Sequence, residues 1–257
     1  MFIGRKNEIE ALNGFYEGEE ASVAVISGQI GIGKTTLLKE FAADKDAIFF
    51  EAYETTSKHQ MERLSKLMGA NKVLDAKGFC KEISERAAKS KQLIIIDQYP
   101  HIVKADPDFD KLLHEYIIGE WKNLPVKLIL CSDAFMLVDK YITGKKSIWK
   151  NDIKLNLVVE PLGFYESCEF FADASPVEAA FLYGITGGIP HNLARTAALL
   201  AVSGFENYSI KPIEGTDKAK EVAIRLFLDK NSGLGINPEK VMATELRELA
   251  YYNYMLA

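Results

Sequence analysis

Disulfide chemistry has little to work with in this 257-residue chain, whose three cysteines, Cys80, Cys131 and Cys168, stand 51 and 37 positions apart. That spacing fits neither a paired framework nor a C-x-x-C metal knuckle, so they read as reduced thiols. Histidine is scarce, with four in the chain. His59, His101 and His114 lack ligand-like partners at useful spacing, which sets aside a histidine-built metal site. Positive charge is not in excess: 31 Lys and Arg against 36 Asp and Glu give a formal net charge of −5. No global basic field steers the chain onto nucleic acid or acidic lipid, though a local patch stays open. Long apolar runs are missing as well. The longest stretch free of Asp, Glu, Lys and Arg, 179–194, holds Gly184, Gly187, Gly188, Pro190, His191 and Asn192 and is too broken to span a bilayer. The start turns charged at Arg5 and Lys6, unlike a secretory signal peptide. The expected location is the cytoplasm. What remains is an ordinary globular composition, 48% hydrophobic and 26% charged, which excludes a disordered or fibrous class.

Through the first two-thirds, short β-rich runs alternate with longer amphipathic segments, the signature of βα units building a parallel sheet. Five strands are predicted, at 22–27, 47–52, 93–96, 126–131 and 153–160, with helices over 34–43, 58–68, 76–89, 106–121 and 134–141. The runs 93–96 and 126–131 are apolar on both faces, as suits strands buried between two helical layers. After Pro161 the pattern turns helical, over 164–171, 176–183, 190–202, 217–228 and 238–255. Several of these segments open with proline, and glycine-bearing turns separate them. The expectation is an α/β core over 1–162 and an all-helical lid over 163–257.

Between the first strand and the first predicted helix lies Gly28-Gln29-Ile30-Gly31-Ile32-Gly33-Lys34-Thr35, followed by Thr36. It fits G-x-x-x-x-G-K-[ST] in its proper strand-loop-helix context. Backbone N–H groups of such a loop form an anion nest at a helix N-terminus. Lys34 would reach the β- and γ-phosphates, and the Thr35 hydroxyl would ligate Mg²⁺. Glycine is needed where the backbone approaches phosphate closely. A second element lies 63 residues beyond Lys34, where the apolar run Leu93-Ile94-Ile95-Ile96 ends in Asp97-Gln98. Taken alone, that is only a strand meeting its loop. Paired with the phosphate loop, Asp97 becomes the acid that holds Mg²⁺.

Five segments together carry a resemblance. They are Phe2-Ile3-Gly4-Arg5-Lys6-Asn7-Glu8, the phosphate loop, Asp97-Gln98-Tyr99-Pro100, Leu128-Ile129-Leu130-Cys131-Ser132, and Tyr183-Gly184-Ile185-Thr186-Gly187-Gly188-Ile189-Pro190. In this order the chain resembles the archaeal-type, AAA-related P-loop ATPases within the signal-transduction ATPases with numerous domains (STAND). The resemblance implies an ASCE-type P-loop NTPase fold with parallel strand order 5-1-4-3-2, ATP or ADP as ligand, and Mg²⁺. It puts Phe2, Ile3, Arg5, Ile189 and Pro190 near the adenine and makes Ser132 a polar sensor of the γ-phosphate. On their residues alone, Arg5 also reads as a surface charge at a helix start, and Gly187 to Pro190 as a helix C-cap leading into a proline N-terminus. His191 and Arg195, beyond Pro190, read either as a second phosphate sensor or as a solvated face.

The chain departs from the family twice. Members usually carry Glu directly after the Mg²⁺ acid, whereas this sequence has Gln98. An amide can hold a water but cannot accept its proton. Members also tend to place Arg after the fourth helix, where Lys145, Lys146 and Lys150 are the cations here. Lysine lacks the planar fork of an arginine finger. Glu51 or Glu54, at the end of the second strand, is a weak substitute for the acid, because that strand is expected at the sheet edge, away from the loop. The expected function is therefore a Mg·ATP-binding switch with weak hydrolysis, the alternative being an active ATPase that drives a conformational change in a partner. A P-loop kinase fits less well, since 140–150 holds no Arg, and a GTPase fails at 71–74, where Asn-Lys-Val-Leu misses the Asp of N-K-x-D. The segment from Thr244 to Leu249, with Tyr251, Tyr252 and Tyr254, resembles the junction into a winged-helix domain. Nucleic acid is not the expected partner of the chain alone.

Overall fold

The computed structural model describes residues 2–203. These fall into two compact units. The first comprises Lys6–Gln29 and Lys34–Val159, and the second comprises 2–5, Ile30–Gly33 and 160–203.

The first unit is built on five parallel strands, β1 (Ser22–Ser27), β2 (Ala47–Glu51), β3 (Gln92–Asp97), β4 (Val126–Ser132) and β5 (Ile153–Val158), in the order β2-β3-β4-β1-β5. Read from the other edge this is the predicted 5-1-4-3-2. Burial follows position in the sheet. Every residue of β1, β3 and β4 is buried, whereas β2 and β5 alternate as edge strands do.

Helices α1 (Lys6–Glu17), α2 (Lys34–Ala42), α3 (Ser57–Leu67), α4 (Ala76–Ala87), α5 (Pro100–Ala105), α6 (Pro107–Ile118) and α7 (Phe135–Val138) complete this unit. Val23, Val25, Ile94, Ile96, Leu128 and Leu130 join Leu64, Phe79, Ile83, Ile102 and Leu113 in one apolar cluster. Alternation along the strands sends Ala24, Ile26, Leu93, Ile95 and Ile129 to the opposite face. The buried polar tips are paired: Trp121 Nε1 donates to Ser84 Oγ at 2.9 Å, and Trp149 Nε1 to Asp110 Oδ1 at 2.7 Å.

Most predicted elements agree within one to three residues, and two helices differ for a reason the structure shows. The helix predicted over 106–121 begins one residue later because Asp106 is its cap, accepting from Phe109 N–H at 3.0 Å. The helix predicted over 134–141 is the four-residue α7 followed by a π-helical turn, Asp139–Thr143. Gly144 N–H closes that turn on Asp139 O at 2.7 Å, and a Cβ at Gly144 would lie 2.1 Å from the same oxygen. Only glycine fits the wide turn. Helices α1 and α5 are additions to the sequence reading.

In the second unit, α8 (Phe164–Cys168) runs into a 3₁₀ turn and precedes α9 (Pro176–Thr186) and α10 (Pro190–Ser203). Ser175 and Glu178 form a capping box before Pro176, and Gly187 ends α9 in the left-handed conformation at φ 64°. Ile3, Leu162, Phe171, Leu182, Leu193 and Leu200 form the core of this unit. The predicted helices 217–228 and 238–255 lie outside the described residues, as does the segment Thr244 to Tyr254. Among the described residues no helix is long and apolar enough to cross a membrane.

Candidate functional site

The loop after β1 takes its shape from glycine. Gly31 and Gly33 have φ of 79° and 93°, where a Cβ is strained. In the first unit, Lys34 is 5% exposed, and its Nζ donates to Gly28 O at 2.8 Å and Gln29 O at 3.0 Å. Burial pushes its ammonium below the ordinary lysine range, opposed by neighbouring Cys131, Asp133 and Asp97.

Parallel pairing aligns the C-terminal strand ends. Ser27 is level with Ser132 across the β1–β4 pair, and Asp97 ends β3 on the other side of β4. There the Thr35 hydroxyl donates to Asp97 Oδ2 at 2.6 Å, joining two residues 62 positions apart. Asp97 is 1% exposed, and its Oδ1 accepts Gln98 N–H at 3.0 Å. Gln98 holds a left-handed backbone at φ 58°, a conformation uncommon outside glycine. Ser132 is buried, and its Oγ accepts Ala134 N–H at 3.2 Å. Thr36, by contrast, is exposed on α2.

A hydroxyl and a carboxylate at this separation are hard oxygen donors suited to Mg²⁺, and a buried ammonium at the mouth of a glycine loop suits phosphate. The residues present fit Mg²⁺ with a nucleoside triphosphate. No cluster of three metal-binding side chains occurs among the described residues.

Asp133 was missed in the sequence. Its carboxylate attracts both Lys34 and His101. The sequence signal for it is weak: β4 ends at polar Ser132 and the acid comes one residue later, whereas 93–97 ends in Asp97 itself. His101 lies one turn beyond Gln98 and donates its N–H to Gln98 O at 3.0 Å. Burial pushes its imidazole below the ordinary range, with Lys104 adding and Glu54 and Asp133 opposing. Glu51 is level with Asp97 on edge strand β2, separated from β1 by β3 and β4. Lys145, Lys146 and Lys150 are exposed.

In the second unit, Arg5 is buried, and its guanidinium donates to Glu160 O at 2.6 Å and Ile32 O at 3.0 Å. It is not the surface charge that its position also allowed. His191 N–H donates to Gly31 O at 3.1 Å, while a Cβ on Gly31 would come within 3.0 Å of His191 Cβ and 3.6 Å of Ile189 Cγ2. Pro190 lies 3.8 Å from the corresponding position on Gly33. Residues 30–33 are thus held by Arg5 from one side of the sequence and by Ile189, Pro190 and His191 from the other. Ile3 is buried, Phe2 and Ile30 are half-buried, and Ile32 is buried. His191 and Arg195 are exposed.

The sheet order and the loop define a P-loop NTPase-like α/β protein. A family model described as an ATPase domain predominantly from Archaea matches residues 2–196, and the chain belongs to that family. It is 28% identical over 198 residues to the uncharacterized protein MJECL04 of Methanocaldococcus jannaschii, covering 76% of this chain and 44% of the relative. The chain thus spans less than half the length of that relative. Among solved structures, the Walker-type ATPase PABY2304 of Pyrococcus abyssi is similar at a TM-score of 0.67 and 14% identity, over 99% of this chain and 77% of that one. The ORC2 protein of Aeropyrum pernix in its ADP form gives 0.58 at 14% identity, over 87% and 68%.

Proposed function

We propose that the chain binds Mg·ATP and acts as a nucleotide-dependent switch of the STAND kind, passing a conformational change to a protein partner while hydrolysing ATP slowly. One observation carries this reading: an amide, Gln98, directly follows Asp97 of the part-buried Thr35–Asp97 pair, where a catalytic acid is expected. N–H groups of the loop from Gly28 to Thr36 receive the phosphates, and Lys34 neutralises them at close range. Thr35 and Asp97 would hold the metal, and Ser132 would sense the terminal phosphate. Bound Mg²⁺ would offset phosphate charge that the protein alone leaves exposed. Phe2, Ile3, Ile189 and Pro190 flank the adenine, with Arg5 bracing the loop through Ile32 O. Gln98 can orient an attacking water through its amide yet cannot take its proton, and losing such a base typically costs about 10²–10⁴ in rate. The exposed lysines at 145, 146 and 150 supply no planar fork to compensate.

A steady-state phosphate-release assay tests the reading. Turnover well below about 1 s⁻¹, with ATP still bound, is expected. Turnover near that value, cut sharply by Lys34→Ala, would make the chain an active ATPase instead.

A further inference from the structure

Strand β2 has β3 on one side and, among the described residues, no strand on the other. Its five residues, Ala-Ile-Phe-Phe-Glu, contain no proline, and their pairing with β3 has no bulge. Two of the usual devices that blunt an edge strand, proline and a bulge, are therefore missing from the strand itself. Ala52 N–H donates to Asp97 O at 2.9 Å. Because strand backbone groups alternate in direction, Ile48 and Phe50 turn toward β3, while Ala47, Phe49 and Glu51 turn their N–H and C=O groups outward.

That outward edge is the floor of a groove of about 920 Å³. One wall is α2 and the turn after it, contributing Lys39 and Lys45, and the other is α3, contributing Arg63 and Lys66. Among the described residues, Glu51 is the only acid lining it. Arg63 stacks on Tyr53, with its guanidinium carbon 4.1 Å from the ring centre, and gives Nη2 to Glu51 O at 3.0 Å. Its Nη1 is buried and has no hydrogen-bond partner. A buried guanidinium nitrogen without an acceptor is costly unless an oxygen arrives from outside. Apolar surface is on offer beside the charge, with Tyr53 and Leu67 each 49% exposed.

We propose that the groove along β2 takes an extended acidic segment of a partner protein as a sixth strand of the sheet. Main-chain hydrogen bonds to Ala47 and Phe49 would give affinity, the carbonyl of Glu51 being held already by Arg63. Carboxylates set against Lys39 on one wall and against Lys66 and the Arg63 guanidinium on the other would give selectivity. The length of β2 suits about five residues of partner, roughly 17 Å of extended chain. A second copy of this chain fits poorly, because pairing β2 with β2 would bring two sets of Lys39, Arg63 and Lys66 together, Lys45 being paired with Asp44 at 2.6 Å.

Fluorescence anisotropy on the full chain tests this with a labelled peptide of about ten residues alternating Glu and Val, the length that covers the strand with margin. Controls are the Lys-Val peptide, a Glu-Pro peptide that keeps the charge but lacks alternate N–H groups, and oligo-dT. The Glu-Val peptide should bind, should be released by high salt, and should weaken about tenfold in the Lys39→Glu, Lys66→Glu double variant, whose sites are both exposed. The Arg63→Ala variant should weaken it as well, and the Lys-Val and Glu-Pro peptides should fail. Absence of Glu-Val binding, or unchanged affinity in both variants, would overturn the proposal. Equal binding of the Glu-Pro peptide would reduce the groove to a charge patch and overturn strand addition. Tighter binding of oligo-dT, lost in the same variants, would make the groove a nucleic-acid surface and overturn the peptide reading.

Discussion

At Gln98 a single functional group separates a carboxylate from an amide of nearly equal size. Its left-handed backbone and its N–H bond to Asp97 Oδ1 fix where the side chain starts, and neither depends on the side chain being an amide. Gln98→Glu should therefore keep the local fold and supply the missing proton acceptor. Turnover in a phosphate-release assay is expected to rise by about 10²–10⁴, with ATP binding little changed. An unchanged rate would mean that the missing base is not what limits hydrolysis. Asp97 could be singled out in the sequence because an apolar run ended in an acid. At Ser132-Asp133 the acid falls one residue beyond the strand, and it is the charges Asp133 faces, Lys34 and His101, that reveal its place.

Strands and helices carry a different set of constraints, clearest at the N-terminal end of the sheet. Lys127, level with Ser22 on β1, donates Nζ to Glu20 O at 2.6 Å and to Ser22 Oγ at 2.8 Å. Burial, helped by Lys154 and Lys91, brings its ammonium down to about 8 from an ordinary 10.5. Between these two values the unfolded chain keeps the proton and the folded chain sheds it, so stability rises with pH across that window. Below about 8 both states hold the proton, and the cost of burying the charge is present in full. Denaturation of the wild type and Lys127→Met, compared at pH 7 and pH 9, should show the wild type gaining more than the variant. Equal gains would remove Lys127 as the source. A second element-level tie joins α5 and α6 to the segment before β5, where Asp110 Oδ1 accepts from both Tyr99 O–H and Trp149 Nε1. Burial raises the Asp110 carboxyl above the usual range, opposed by those two donors. Tyr99 directly follows Gln98, so this network braces the residue on which the slow-hydrolysis reading turns.

For the whole molecule, the measurable consequence is linkage between ligand and fold. With Mg·ATP at a thousand times its dissociation constant, the folded state should gain about 4 kcal/mol, seen as a melting temperature raised by several degrees. Lys34→Ala should abolish the shift, whereas Gln98→Glu should keep it. Absence of a shift in the wild type would count against nucleotide binding. The sequence by itself determined what is local: the period of each strand, the loop from Gly28 to Thr35, the acid at the end of an apolar run, and the capped, proline-led helices after Pro161. These depend on neighbours a few positions apart, where spacing is fixed by backbone geometry. Tertiary structure decided what is non-local. Periodicity does not say which strands pair, so the meeting of Thr35 with Asp97, the convergence of Asp133 on Lys34, and the burial of Arg5 on the carbonyls of Ile32 and Glu160 emerge only in three dimensions. The open side of β2 belongs with these. The family resemblance implied an edge, but the basic walls and the unpaired Arg63 nitrogen depend on how α2 and α3 pack around it.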